Sequence, residues 1–481
     1  MSDKIRIVKN TGILLGMEMV AKTLGVAISV ILARYLTPQG FGLLSFAVGF
    51  ASLFKILPGF GMGTLAIRDL ARDPHLLNDY FWNGQMAKVV LSLGALLLIS
   101  CILWGMHFPF DRAVIVLLAG GVMSLDAMTR FNGSFFHAAQ RMAAVAVINF
   151  SADLGWMISA LIIVLLKGGV LEILAARLAV SAMTLCLSIW MIHTRLDPLS
   201  WRFDPKFVKK MMKSSLPFAV STLFGSIYGD TDTVMLTMMK GDIATGWYAV
   251  AQKFLRPFIL IPTSVRQATL PALSKFSRES PAELKESVLH ASKYLSLIGF
   301  PVAGGIFILA EPLILLVFGR PYLAATPALY ILSASLPFMF LDDILWSALT
   351  ALGRERRVMA FLGFSAFLNL SLNFAAIPFF GPAGASATTL FSCAVLYGLE
   401  MKLIRGMIPD LNVFPQIAKP AVATILMMLV TWFLSSRLFL MYTIVISALF
   451  YFMLLFLLRV FGPEEWAFLK TLLRRGPRRA K

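Results

Sequence analysis

Residues 214–266 read SSLPFAVSTLFGSIYGDTDTVMLTMMKGDIATGWYAVAQKFLRPFILIPTSVR. Two mainly apolar stretches flank a tight turn, Lys240-Gly241-Asp242. The first carries Asp230 and Asp232; the second carries Lys253 and Arg256. At about 1.5 Å per residue, each stretch is long enough to cross a hydrocarbon layer as a helix. A charge near the bilayer centre costs roughly 2.5–3.5 kcal/mol on the insertion scale. Four charges in one hairpin therefore imply a polar interior to the bundle. The hairpin reads as part of the wall of a mainly cationic cavity, as a transporter needs.

The rest of the chain fits that setting. Of 481 residues, 58% are apolar and 14% are charged, against about 25% charged in soluble domains. Mean hydropathy is +0.80. Apolar runs long enough to span hydrocarbon recur from Gly12 to Phe461. The net charge of +18 is read as the Lys/Arg bias of cytoplasmic loops and not as a nucleic-acid surface. Three cysteines, Cys101, Cys186 and Cys393, lie in or beside apolar runs. With no CxxC and no Cys/His cluster, neither a disulfide framework nor a metal site is expected. The N-terminal MSDKIRIVKN leads into a full-length span, read as a retained first helix.

The pattern predicts an all-α polytopic membrane protein with about fourteen transmembrane helices. They begin with 12–36 and 41–66. They continue through 214–239, 243–270, 323–350, 357–380 and 383–406, and end with 416–436 and 440–460. Alternate loops gather the basic residues, among them Lys206, Lys209, Lys210, Lys213, Arg354, Arg356 and Arg357. By the positive-inside rule both termini are expected on the cytoplasmic side of the membrane. Ser280-Pro281-Ala282-Glu283 is a capping box and predicts a helix start. Asp204-Pro205 predicts another.

An internal repeat is visible. ARYLTPQGFGLLSFA (33–47) matches TMMKGDIATGWYAVA (237–251) at an offset of 204. Gly42 then pairs with Gly246, and Pro58 with Pro262. At an offset of 213, Arg141 meets Arg354 and Gly168 meets Gly381. The expected organisation is a six-helix lobe over 1–200, a second over 201–410, and an extra helix pair with a basic tail over 411–481. Repeats of this kind place a substrate near the midplane, with rocking of the lobes giving alternating access.

The stretches LARYLTPQGFGLLSFA (32–47), GFGMGTLAIRDLAR (59–72), GDTDTVML (229–236) and GWYAVAQKF (246–254) resemble polysaccharide flippases. These belong to the multidrug/oligosaccharidyl-lipid/polysaccharide exporter superfamily. The resemblance implies an undecaprenyl-diphosphate-linked oligosaccharide as substrate, moved across the cytoplasmic membrane. It implies membrane lipids as surroundings, a glycan polymerase or other polysaccharide-assembly protein as partner, and a monomer.

Charges at depth are the candidate contacts. Lys55 has no acidic neighbour at helical spacing, and Lys253 and Arg256 share one face without one. Leaving these three unpaired in hydrocarbon would cost roughly 8–10 kcal/mol; a hydrated cavity or a bound anion removes most of that. They are the leading contacts for a lipid diphosphate, followed by Lys22 and Arg266. Glu18–Lys22 and Asp126–Arg130 have the i,i+4 spacing of self-neutralising pairs. Asp153, Asp230, Asp232 and Glu18 are left with two roles, counter-ion or site for a coupling proton or sodium ion. Asp342 and Asp343 are read as interfacial, and Asn369 and Asn373 as a helix–helix contact. No cofactor is expected. Two transport alternatives stay open: a cation-coupled multidrug exporter and a peptidoglycan-precursor lipid flippase. Nothing in the sequence has the P-loop, nucleophile–His or metal spacing of an enzyme.

Overall fold

The computed structural model describes the backbone of residues 2–196 and 200–461, and side chains from residue 24 onward within those ranges except that of Ser221. The described chain is helical throughout. In order the helices are α1 (Ser2–Leu53), α2 (Ile56–Gly59), α3 (Met62–Leu70), α4 (Leu77–Gly105), α5 (Phe110–Ala138), α6 (Met142–Leu165) and α7 (Val170–Arg195). There follow α8 (Pro205–Glu279), α9 (Pro281–Val317), α10 (Thr326–Ser333), α11 (Leu336–Ala351), α12 (Glu355–Arg405), α13 (Phe414–Ser435) and α14 (Leu440–Leu457). Among the described residues, nine helices are long and apolar enough to cross a membrane, or ten if the bent pair α10–α11 forms one span. The protein is a multi-span membrane protein. The long α8 is not among those nine, because its acids, lysines and threonines dilute its hydropathy.

Three long helices are broken inside, at the turns expected from the sequence. Breaks fall at Thr37 in α1, Gly241 in α8 and Gly381 in α12. Thr37 and Gly241 are 204 apart and adopt the same conformation, φ 61°, ψ 173° and φ 82°, ψ 178°. Glycine takes such angles freely; a β-branched threonine does so under strain. The turn before α6 recurs before α12, at the offset of 213. Gln140 and Gly353 both have positive φ. Arg141 N–H donates to Phe136 O at 2.8 Å, and Arg354 N–H to Leu349 O at 2.9 Å. Both predicted caps form: Lys206 N–H donates to Asp204 Oδ1 at 2.8 Å, and Glu283 N–H to Ser280 Oγ at 3.3 Å.

The expected helix over 41–66 is not continuous. α1 ends at Leu53, and α2 and α3 are separated by Phe60 (φ 42°) and Gly61 (φ 67°), both left-handed. The backbone of Gly61 lies so close to α8 that an added Cβ would meet Phe218 Cβ at 2.4 Å. The expected helix over 323–350 is also bent, by 40° between α10 and α11, where Pro337 opens α11 and cannot extend the preceding turn.

The chain divides into two compact units. Unit 1 comprises the residues up to Lys253, Val317–Ala325 and Leu362–Thr388; unit 2 comprises Phe254–Leu316, Thr326–Phe361 and the residues from Thr389 on. In unit 1, α5 packs on α7 and α1 on α6. Its core includes Phe81, Phe131, Phe135 and Phe136, all buried. In unit 2, α13 packs on α14 through Ala423, Met427, Tyr451 and Leu455.

Candidate functional site

In unit 1 the two repeat-related breaks meet. A Cβ on Gly42 would lie 1.8 Å from Asp242 O, and one on Gly246 would lie 2.0 Å from Pro38 O. Pro38 and Asp242 are themselves 204 apart, so the contact is reciprocal. Only glycine permits backbones to approach this closely. The crossing fixes the two halves of the hairpin beside α1 and sets the positions of the charges below it.

Those charges are held individually. Lys253 Nζ donates to Ser29 Oγ at 3.2 Å. Ser52 Oγ donates to Asp230 Oδ2. Asp232 is 3% exposed; it accepts from Tyr248 Oη at 2.6 Å and from Asn373 Nδ2 at 2.6 Å. Asn373 in turn donates to Asn369 Oδ1 at 3.0 Å and accepts from Thr388 Oγ1 at 2.5 Å. Asn373 thus makes a bond to another helix, to a candidate acid, while Asn369 bonds to Asn373 within α12. Lys55 sits half-buried at the break between α1 and α2.

A second polar cluster lies among α4 to α7. Lys88 is 2% exposed and its Nζ donates to Pro58 O at 2.5 Å and Gly59 O at 3.3 Å, above the Phe131 ring. It closes the end of α2, whose carbonyls have no helical partner. Asp126 pairs with Arg177 at 3.4 Å and accepts from Ser181 at 2.8 Å. This corrects the expected Asp126–Arg130 pair: Arg177 comes from α7, which a single-helix spacing rule does not see. Arg177 also lies over Trp156, 5.2 Å from the ring centre. Asp153 on α6 feels both Arg177 and Asp126. Arg130, on which Asp126 and Arg177 both act, completes a cluster of three cations and two acids.

In unit 2, Arg256 is exposed. Arg266 pairs with Asp343 at 3.1 Å and lies 4.8 Å from the centre of the Trp346 ring. Asp342 Oδ1 is buried, and Asp343 is 16% exposed. The α12 residue Glu400 is buried beside Asp342. Lys253, Asp230 and Asp232 belong to unit 1, each with its own partners, and Arg256 and Arg266 to unit 2. Glu18 and Lys22 lie outside the residues whose side chains are described.

Sequence reasoning passed over Lys88, Arg177 and Glu400. Lys88 and Arg177 each stand about seven residues, roughly 10 Å, into an apolar run, and Glu400 as close to the other end of one. A snorkelling side chain explains a charge at that depth. A lone charge within an otherwise apolar run was the available signal.

Comparison with known proteins places this arrangement. A family model described as polysaccharide biosynthesis protein matches residues 7–277, and one described as MatE matches residues 217–375. The succinoglycan biosynthesis transport protein ExoT of Rhizobium meliloti (strain 1021) is 22% identical over 327 residues, 63% of this chain and 61% of that protein. The probable low-salt glycan biosynthesis flippase Agl15 of Haloferax volcanii is 24% identical over 288 residues, 60% of each chain. The aligned part thus spans about three-fifths of these relatives' length. Among solved structures, a lipid II flippase MurJ in an inward closed conformation superposes with a TM-score of 0.78 at 15% identity, covering 92% of this chain and 97% of that one. An inward-facing multidrug resistance MATE family transporter of the MOP superfamily gives 0.70 at 15% identity, covering 81% and 95%. These two share the fold.

Proposed function

Because the chain belongs to the polysaccharide biosynthesis protein family, we propose that it is a flippase for an undecaprenyl-diphosphate-linked oligosaccharide. It acts in the bacterial cytoplasmic membrane by alternating access through a cationic cavity. Two six-helix lobes and a C-terminal helix pair form the transporter. The observation that carries the reading is the set of cations built into apolar helices: Lys55, Lys253 and Arg256, with Arg130 beside them in the chain's inventory. A diphosphate is a dense anion, and arginine grips phosphate oxygens in a bidentate fork. The lysines act as point charges. Ser29 and Ser52, both partly exposed, supply hydroxyl chemistry suited to sugar hydroxyls. The prenyl chain stays in lipid while the head group crosses. The names of ExoT and Agl15 support a glycan substrate.

Coupling to a proton or sodium gradient is assigned to the acids of unit 1, Asp153, Asp230 and Asp232. Asp232 accepts from Tyr248 and Asn373, an all-oxygen and amide setting in which a carboxylate can meet a cation. The chain works with a glycan polymerase or another assembly protein, itself a monomer. A second reading, cation-coupled drug export, is favoured by the MatE match over residues 217–375. One experiment separates the two. Liposomes holding only this protein are given either a fluorescent undecaprenyl-diphosphate oligosaccharide or a cationic dye. Flipping of the lipid without dye export is expected; dye export without flipping would overturn the flippase reading.

A further inference from the structure

Unit 2 holds two carboxyl groups that the transport reading does not use. Glu400 on α12 is 1% exposed, and both its oxygens are buried without a hydrogen-bond partner among the N–H and O–H groups of the described protein. Asp342 Oδ1 on α11 is in the same condition. The two carboxyls face each other within hydrogen-bonding reach. The charged groups acting on them are Asp343 and Arg266, and these neutralise each other at 3.1 Å. No cation is left over for the pair.

Two ionised carboxylates in contact repel, and the low dielectric of a packed membrane helix strengthens that repulsion. One proton removes it. It converts one carboxylate to a carboxylic acid, whose O–H donates to the facing carboxylate. The pair then carries one charge instead of two, and an oxygen that lacked a donor receives one. Among the described residues no three His, Cys, Asp or Glu side chains converge in metal-binding geometry. The acids of unit 1 differ. Asp230 accepts from Ser52, and Asp232 from Tyr248 and Asn373.

We infer that Asp342 and Glu400 form a proton-binding site in unit 2, and that proton uptake and release there accompany transport. The first half stands on the carboxyl pair alone; the second rests on the flippase reading. The test has two arms. In the first, the full chain in detergent is examined by infrared difference spectroscopy on a pH step in light and heavy water, without substrate. A protonated-carboxyl carbonyl band that shifts on deuteration is expected. It should be lost in both Asp342→Asn and Glu400→Gln, and kept at a shifted position in Glu400→Asp. Absence of such a band in the wild type, its persistence in both pair variants, or its displacement by sodium at constant pH would overturn the site. In the second arm, an imposed pH gradient should accelerate lipid flipping in wild-type liposomes, and Glu400→Gln should lose that acceleration. Acceleration intact in Glu400→Gln would overturn the coupling. If the wild type flips no lipid, the flippase reading fails, while the infrared arm still decides whether the pair binds a proton.

Discussion

Replacing Gly246 with alanine tests the crossing that organises unit 1. The new Cβ would sit 2.0 Å from Pro38 O and 2.8 Å from Pro38 C, whereas real Cβ atoms essentially never come within 3.0 Å of a neighbour. The obstructing atoms are backbone, so no side-chain rotation relieves the clash. The helices must separate by roughly 1 Å, which places the change among overpacking substitutions that cost about 1–3 kcal/mol or more. Gly42→Ala meets Asp242 O at 1.8 Å and should cost at least as much. Because the two clashes lie at one crossing, the separation forced by one relieves part of the other. The double variant should therefore cost well under the sum of the singles, a coupling of the size double-mutant cycles resolve. Gly225 and Gly229, on the same helix, have nothing within 4 Å of an added Cβ. Alanine there should be neutral or stabilising by up to about 1 kcal/mol. Unfolding of the detergent-purified full chain measures all five variants. Wild-type stability in Gly246→Ala, or strict additivity in the double variant, would refute the reciprocal contact.

Further outcomes are expected elsewhere. Thr37→Gly should stabilise the chain by about 1 kcal/mol, since it releases an angle pair of about 1–3 kcal/mol strain and returns less than that in chain entropy; unchanged unfolding would remove the strain argument. Lys88→Met should destabilise by about 1–3 kcal/mol, because Pro58 O and Gly59 O lose their buried donor, measured by the same unfolding assay. Lys253→Glu should slow flipping more than Lys253→Ala, since it adds repulsion toward a diphosphate; equal rates would take Lys253 out of the site. On α3, outside the candidate spans, burial pushes the Asp69 carboxyl up, but bonds from Arg68 and Tyr80 outweigh it and hold it below the ordinary value. The unfolded chain then takes that proton first, so the stabilisation is present at neutral pH and lost as pH falls through the lower, folded value. The stability gap between wild type and Asp69→Asn should narrow on acidification, and a constant gap would argue against the bond.

Much of the architecture was written in local sequence. The breaks at Thr37, Gly241 and Gly381 follow from Thr-Pro, Lys-Gly-Asp and Gly-Pro, which cannot continue a helix and interrupt long apolar runs. The repeat was legible because it constrains backbone: Gly42 and Gly246 match at one offset, and the structure shows why both are glycine. The break at Phe60-Gly61 was missed although Pro58-Gly59-Phe60-Gly61 carries the signal of a turn; the apolar run on either side masked it. The site was legible in part. Depth along a helix follows from counting residues, and Lys253, Asp230 and Asp232, singled out that way, are buried or half-buried. Partners on other helices do not follow from counting. Arg177 took Asp126 from Arg130, Asp343 took Arg266, and Glu400 met Asp342 across α11 and α12. Such pairings depend on which helix faces meet, and single-chain periodicity leaves that choice open.

The central claim is that cations set in the helices move a lipid diphosphate. The most direct test is the rate at which liposomes holding this chain alone flip a fluorescent undecaprenyl-diphosphate oligosaccharide, compared for wild type, Arg256→Ala and Arg437→Ala at matched reconstitution. Arg256 follows Lys253 in the hairpin; Arg437 lies past the end of α13, against Phe433. The account predicts flipping by the wild type, a clear loss in Arg256→Ala and a near-wild-type rate in Arg437→Ala. Equal rates for the two variants, or no flipping by the wild type, would contradict it.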